Sequence, residues 1–240
     1  MNSPARDARF DVKERWRELA NFEEGDPRKD FEFLHRQMNE EINGLENSAR
    51  CLVDFPSADW ELRMAIARQC ADEARHVVMF RQIFEQRGGR VGQFPVINFQ
   101  FRIISSIDSL AGRLAVQNRS FEADGIDAIR FAIDEAAANG DAQLASIFDA
   151  QLADEINHVR FANEWIHRLV QREPILIMKI ARALDAAASA FRTAMDGGTA
   201  VKYDINDAVR REAGFDSHDL EIAREAAALA RRQAADREPT

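Results

Sequence analysis

Cysteine is scarce: Cys51 and Cys70 are the two in the chain. Their spacing forms neither a metal-binding pair nor a disulfide framework, and both fall inside predicted helices, so they are expected as reduced core thiols. With 11 glycines and 6 prolines in 240 residues, the chain has too few turn formers for an all-β protein. Long apolar runs are also missing. The most apolar stretch, Pro174 to Met178, is far too short to span a bilayer, and Met1 to Phe10 has no apolar core of a signal peptide. Positive charge is in deficit: the net charge of -9 argues against general attraction to nucleic acid or anionic membrane. These absences predict a cytoplasmic protein with no membrane role.

What remains is helical material. Hydrophobic residues make up 46% of the chain and charged residues 30%, an ordinary globular balance, and Ala, Glu, Arg, Leu and Ile dominate, all helix-compatible. Residues 1–27 read as an extension with a short helix at Asp11–Ala20 and a break at Gly25-Asp26-Pro27. A first long helix is predicted from Lys29 to Val53, on the stripe Leu34, Met38, Leu45 and Leu52. It closes at Phe55-Pro56-Ser57. A second runs from Ala58 to Arg87, capped by Ser57 and ended by Gly88-Gly89. After a Phe-rich crossover at 91–101, a third helix is predicted from Ile103 to Gly125, with a short one at Asp127–Ala138. Asn139-Gly140-Asp141 then stops the chain and opens a fourth long helix at Ala142–Gln171. Pro174 separates a C-terminal extension: a helix over 175–195 ending at Gly197-Gly198, then helices at Asn206–Ala213 and Ser217–Gln233. The domain reading is therefore 1–27, 28–172 and 173–240.

The two long hairpins share an internal echo. Ala71-Asp72-Glu73-Ala74-Arg75-His76-Val77 reads against Ala153-Asp154-Glu155-Ile156-Asn157-His158-Val159. Residues three apart on a helix lie roughly 60° apart around its axis and about 4.5 Å along it, so each Glu and its His can face one centre. Glu73 and His76 interrupt the stripe Leu62, Ile66, Cys70, Val77, Phe80 and Phe84. Glu155 and His158 interrupt Leu144, Ile147, Leu152, Ala162, Trp165 and Leu169. Acidic groups on an apolar stripe are costly unless paired or metal-bound. A single Glu-x-x-His is weak: Glu32 with His35 and Glu164 with His167 have the same spacing but lack the preceding Asp.

Di-iron carboxylate bundles combine one Glu from each of two helices with Glu-x-x-His from each of the other two. Glu122 is the clear lone glutamate of the third helix, extending the row Ile104, Ile107, Ala111, Ala115 and Asn118. In the first helix Glu41 continues the stripe of Leu34, Met38 and Leu45, while Glu40 and Glu46 sit to either side. Glu122 to Glu155 spans 33 residues and Glu41 to Glu73 spans 32, whereas Glu46 to Glu73 spans 27. Equal distances from a hairpin turn place groups at equal height, which favours Glu41 and leaves Glu46 as the alternative. The expected metal ligands are thus Glu41, Glu73, His76, Glu122, Glu155 and His158. Asp72 and Asp154 are placed to orient the histidines, Asp72 serving His158 and Asp154 serving His76.

Across about Leu34 to Trp165 the sequence resembles the ferritin-like di-iron superfamily, which includes rubrerythrins, bacterioferritins and di-iron oxygenases. More narrowly it is similar to an uncharacterised bacterial ferritin-like family related to tRNA-hydroxylase-type enzymes. The stretches that carry the resemblance are Leu52 to Pro56, the two motifs, Arg113-Leu114-Ala115 and Phe121 to Asp127. Members of that narrower family tend to have histidines just before the first-helix glutamate, where Asn39 and Glu40 stand here. The resemblance implies an all-α, ferritin-like four-helix bundle with extra N- and C-terminal helices.

The expected function is that of a non-haem di-iron oxidoreductase using O2 to oxidise a small organic substrate. Two Fe ions are the expected cofactor, though the same donors accept manganese, and an external electron donor or reductase is required. No Cys-x-x-Cys pair is present, which excludes a rubrerythrin with its own rubredoxin module. Tyr203, the single tyrosine, lies outside the ligand helices and argues against a radical-generating subunit. Phe94, Phe99 and Phe101 are available to line a substrate pocket, or simply to pack the crossover. Ferroxidase or peroxidase chemistry is the alternative function. A third is tRNA modification using Arg210, Arg211, Arg224, Arg231 and Arg232. The helical surface is compatible with a homodimer.

Overall fold

Apolar and small residues recurring every three or four positions have produced a chain of helices with, among the described residues, one minimal sheet. The computed structural model describes residues 8–23, 25–195 and 203–235, and these divide into two units. The first comprises residues up to Leu110 together with Ala186–Asp196; the second comprises Ala111–Asp185 and the residues from Gly197 onward. The protein is all-α in class. Among the described residues, no helix is long and apolar enough to cross a membrane.

The first unit is built on two long helices, α1 (Arg28–Asp54) and α2 (Trp60–Gln86), packed against each other as a hairpin. Asp26 opens α1 by accepting the Arg28 N–H at 2.9 Å. Phe55, before Pro56, closes it, donating its N–H to Cys51 O at 3.1 Å. From α2, Arg63 reaches back to the end of α1 and donates to the carbonyls of Leu52 (3.0 Å) and Phe55 (2.9 Å), which a helix C-terminus otherwise leaves without partners. The buried face of α2 reads Leu62, Ile66, Gln69, Glu73, His76, Phe80, Ile83 and Phe84. Its ends are apolar and its middle is polar. Leu62, Phe80 and Phe84 are fully enclosed, each worth about 1.5–3 kcal/mol of burial.

Past Gly88, whose φ of 93° ends α2, the crossover is not loose. Strand β2 (Val96–Ile97) pairs in parallel with β1 (Val12–Lys13). Asn39 of α1 donates to Ile97 O at 2.9 Å. Gly92 donates its N–H to His35 Nε2 at 2.9 Å; with φ at 83° and an added Cβ falling 2.3 Å from Arg9 O, only glycine fits there. His35 is fully buried among Phe10, Phe84 and Phe94. Helix α3 (Phe99–Ser106) follows. Phe94 packs edge-on against Phe22. A cavity of about 590 Å³ opens between Phe99, Ile103, Ile107 and the alanines of the second half of helix α7 (Leu176–Ala194).

In the second unit, α4 (Leu110–Val116), a wide π turn (Gln117–Glu122) and α5 (Ala123–Ala138) form one continuous run. Asp141 caps α6 (Ala142–Arg172), accepting Leu144 N–H at 3.1 Å. The C-terminal helices α8 (Asp207–Glu212) and α9 (Ser217–Ala235) continue this unit. Arg210 is buried between Asp127 (2.9 Å) and Asp124 (2.8 Å) of α5. The Asn206 N–H donates to Asp127 at 2.9 Å.

Four local expectations differ from the structure. The stretch predicted as a helix at Asp11–Ala20 is instead β1 followed by a short 3-10 turn at Trp16–Glu18, because β2 offers its backbone. The second helix is entered from Asp59, not Ser57. The predicted third helix is interrupted at 107–109, so Ile104 and Ile107 are not on the helix that carries Glu122. No break occurs at Gly125, which lies inside α5 with open space where a Cβ would be. The end predicted at Gly197-Gly198 lies outside the described residues.

Candidate metal centre

Each unit carries its own cluster of donors. In the first, α1 supplies Glu41 and α2 supplies Glu73 and His76; one ligand atom from each lies within 4.8 Å of the others. His76 Nδ1 is 3.0 Å from Glu41 Oε2 and 3.5 Å from Glu73 Oε2. His76 is 0%, Glu73 3% and Glu41 6% exposed, so two carboxylates and an imidazole share a space without bulk water. Gln69, one turn before Glu73, donates to its Oε1 at 3.2 Å. Glu46, the alternative first-helix residue, is half-buried and outside this group.

Gly44 makes room for the cluster. A Cβ at that position would stand 2.8 Å from both Cδ and Oε1 of Glu73. The space beside α1 is therefore filled by the α2 carboxylate. Cys70 does not join in: its thiol is directed to Leu45 O at 3.7 Å. Burial, and secondarily the charge of Glu73, push its pKa up, which keeps it a thiol rather than a ligating thiolate.

In the second unit, Glu122 closes the π turn while Glu155 and His158 come from α6, again with ligand atoms within 4.8 Å of one another. His158 Nδ1 is 3.3 Å from Glu155 Oε2, so this histidine, like His76, turns Nδ1 to the carboxylates. Glu122 accepts from Gln117 Nε2 at 3.0 Å and from Asn118 Nδ2 at 2.7 Å. Gln117 lies five residues before it, the spacing a π turn brings into line. Asn118 Nδ2 also approaches His158 O at 3.4 Å, tying the turn to α6.

Asp72 and Asp154 are half-buried. Asp72 accepts from Arg75 at 3.1 Å and lies 3.5 Å from Arg68, so its carboxylate takes part in a surface charge network on α2.

Gln69, Gly44, Gln117 and the π turn were not singled out in the sequence. Gln69 had a readable signal, a polar residue one turn before Glu73 on the buried face. Gly44 had none, because only the neighbouring helix gives it meaning.

Carboxylates buried this deeply are costly unless a cation or hydrogen bonds offset their charge. The amide donors supply part of that, and the remaining convergence of two carboxylates and one imidazole could hold a cation. Nitrogen and oxygen donors without sulfur suit iron, manganese or zinc. The residues fit a metal ion in each cluster.

Residues 1–221 match the family described as a protein of unknown function, DUF455. The chain belongs to the DUF455 family. A DUF455 chain of this kind is also similar to an uncharacterized protein of Haemophilus influenzae, with 27% identity over 164 residues. That match covers 68% of this chain and 52% of the relative, so the chain spans about half the relative's length. No solved structure matches.

Proposed function

We propose that this DUF455 protein is a non-haem di-iron oxidoreductase of the ferritin-like kind, oxidising a small organic substrate with O2. The observation that carries the reading is the repetition: two hairpins, each with a buried Glu-x-x-His pair joined by a further glutamate. Two such clusters supply four carboxylates and two imidazoles, the ligand inventory of a two-iron carboxylate centre. The carboxylates offset the charge of two divalent ions, and each imidazole gives a firm nitrogen donor.

When bound, the iron pair supplies the electrons and the coordination positions for reducing O2. The chain's own residues do the rest. Gln69, Gln117 and Asn118 hold glutamate oxygens by neutral N–H donors, which fixes their direction without cancelling the charge that a metal needs. The enclosing Phe80, Ile83 and Phe84 of α2, and Phe148, Val159 and Ala162 of α6, exclude water. Electrons are restored by an external donor or by the substrate.

The nucleic-acid reading is disfavoured by how the C-terminal arginines are used. Arg210 is buried against Asp124 and Asp127, Arg224 pairs with Asp207, and Arg231 pairs with Asp204 at 2.6 Å. Three of the five arginines proposed for phosphate binding thus already pair with the protein's own acids.

The test is metal content after anaerobic Fe(II) loading, followed optically on adding O2. The proposal expects about two iron per chain, and a fast optical change on oxygenation. Glu73→Ala and His158→Ala should each lose iron while remaining helical. Rapid conversion to ferric mineral would shift the reading to ferroxidase; a chain that takes up no iron, or a single zinc, ends the di-iron proposal.

A further inference from the structure

The π turn that delivers Glu122 is gripped from outside by the C-terminal segment. Arg119 lies in the middle of that turn, and its guanidinium spans two partners. Nη1 donates to Asn163 Oδ1 of α6 and Nη2 to Asp219 Oδ1 of α9, both at 2.5 Å. The group also lies over the Phe215 ring, 4.8 Å from its centre. Its partners are themselves fixed. Asn163 Nδ2 donates to Ala213 O at 2.9 Å, and the Asp219 carboxylate accepts from Asp216 N–H at 3.2 Å. Arg160 of α6 adds a bond to Glu212 O at 2.9 Å.

A π turn adds a residue to the helix and opens its ladder, so it persists where side chains over-determine it. Here three consecutive residues do so. Gln117 and Asn118 bond Glu122 on the inner side, and Arg119 is anchored on the outer side. The planar, bidentate fork of an arginine suits that task, since it fixes direction as well as charge.

We propose that Arg119, held by Asp219 across a hundred residues of sequence, is a positioning residue for Glu122. The 206–220 segment thereby belongs to the machinery of the second metal cluster. The inference rests on the metal-binding reading above. Releasing Arg119 lets the turn revert toward α geometry, which rotates Glu122 away from Glu155 and His158.

The experiment compares wild type, Asp219→Asn, Arg119→Lys and, as control, Arg224→Gln. The control cuts the Arg224–Asp207 pair of the same segment without touching the π turn. Anaerobic Co(II) titration reads affinity, and the visible Co(II) bands read ligand geometry; circular dichroism and melting read the fold. Asp219→Asn and Arg119→Lys should remain folded but bind one equivalent of Co(II) roughly 10–100-fold less tightly than wild type, with altered bands. Arg224→Gln should match wild type in affinity and bands, even if its melting temperature falls. Wild-type affinity and bands in both Asp219→Asn and Arg119→Lys would overturn the positioning role while leaving the metal reading intact. An equal loss in Arg224→Gln would reduce the segment to general support, and wild type binding no Co(II) or Fe(II) would remove both proposals.

Discussion

Gly44 shows how one residue can matter through what it lacks. Mid-helix glycine costs about 1 kcal/mol relative to alanine, yet α1 keeps one where a Cβ would stand 2.8 Å from the Glu73 carboxylate. The obstructing atoms are the far end of a flexible side chain, so Gly44→Ala need not unfold the hairpin. Two effects of opposite sign are expected. Helix propensity holds the melting temperature level or raises it, while Glu73 is pushed off its position beside His76 and iron uptake falls. Measuring melting and iron content on the same sample checks this; a variant with full iron loading would show that Glu73 has another productive rotamer.

At the scale of elements, the helices with a clean apolar period were legible and the irregular joints were not. α1, α2 and α6 begin and end within three residues of their expected limits, because Pro27, Pro56, Gly88 and Asp141 mark them chemically. The β1–β2 pair and the 107–109 break depend on partners remote in sequence, such as Asn39 donating to Ile97 O, which no local pattern announces. The π turn is the same case: Asn118 belongs to the row leading to Glu122, but nothing in the sequence announces that it and Gln117 both donate to the Glu122 carboxylate. Of the candidate site, Glu41, Glu73, His76, Glu122, Glu155 and His158 carried a repeat and a spacing, whereas Gly44 and Arg119 carried neither. The α1–α2 joint yields its own expectation. Arg63 donates to two carbonyls at the end of α1, each a charge-assisted bond. Arg63→Met should destabilise the protein by about 1–3 kcal/mol in a denaturant titration, with iron stoichiometry unchanged.

For the whole molecule, His35 sets an acid limit. Burial lowers its pKa from 6.5 to about 4, and its Nε2 is occupied as an acceptor from Gly92 N–H, a role imidazolium cannot fill. Between those two values the unfolded chain binds a proton that the folded chain does not. The corresponding stability is complete above about pH 6.5 and is lost as pH falls towards 4, by an amount of order 3 kcal/mol. Replacing the ring by one that does not titrate, His35→Phe, should flatten that part of the stability-against-pH curve, even if the variant is less stable at neutral pH. An unchanged slope between pH 6.5 and 4 would assign the acid sensitivity to other groups.

The division of donors between hairpins also has a consequence in time. Glu41, Glu73 and His76 sit on consecutive helices and are all translated by residue 76, whereas Glu122, Glu155 and His158 wait for α6. A chain emerging from the ribosome therefore completes one donor set roughly eighty residues before the other, several seconds at ordinary elongation speed. The order of synthesis supplies an order of assembly.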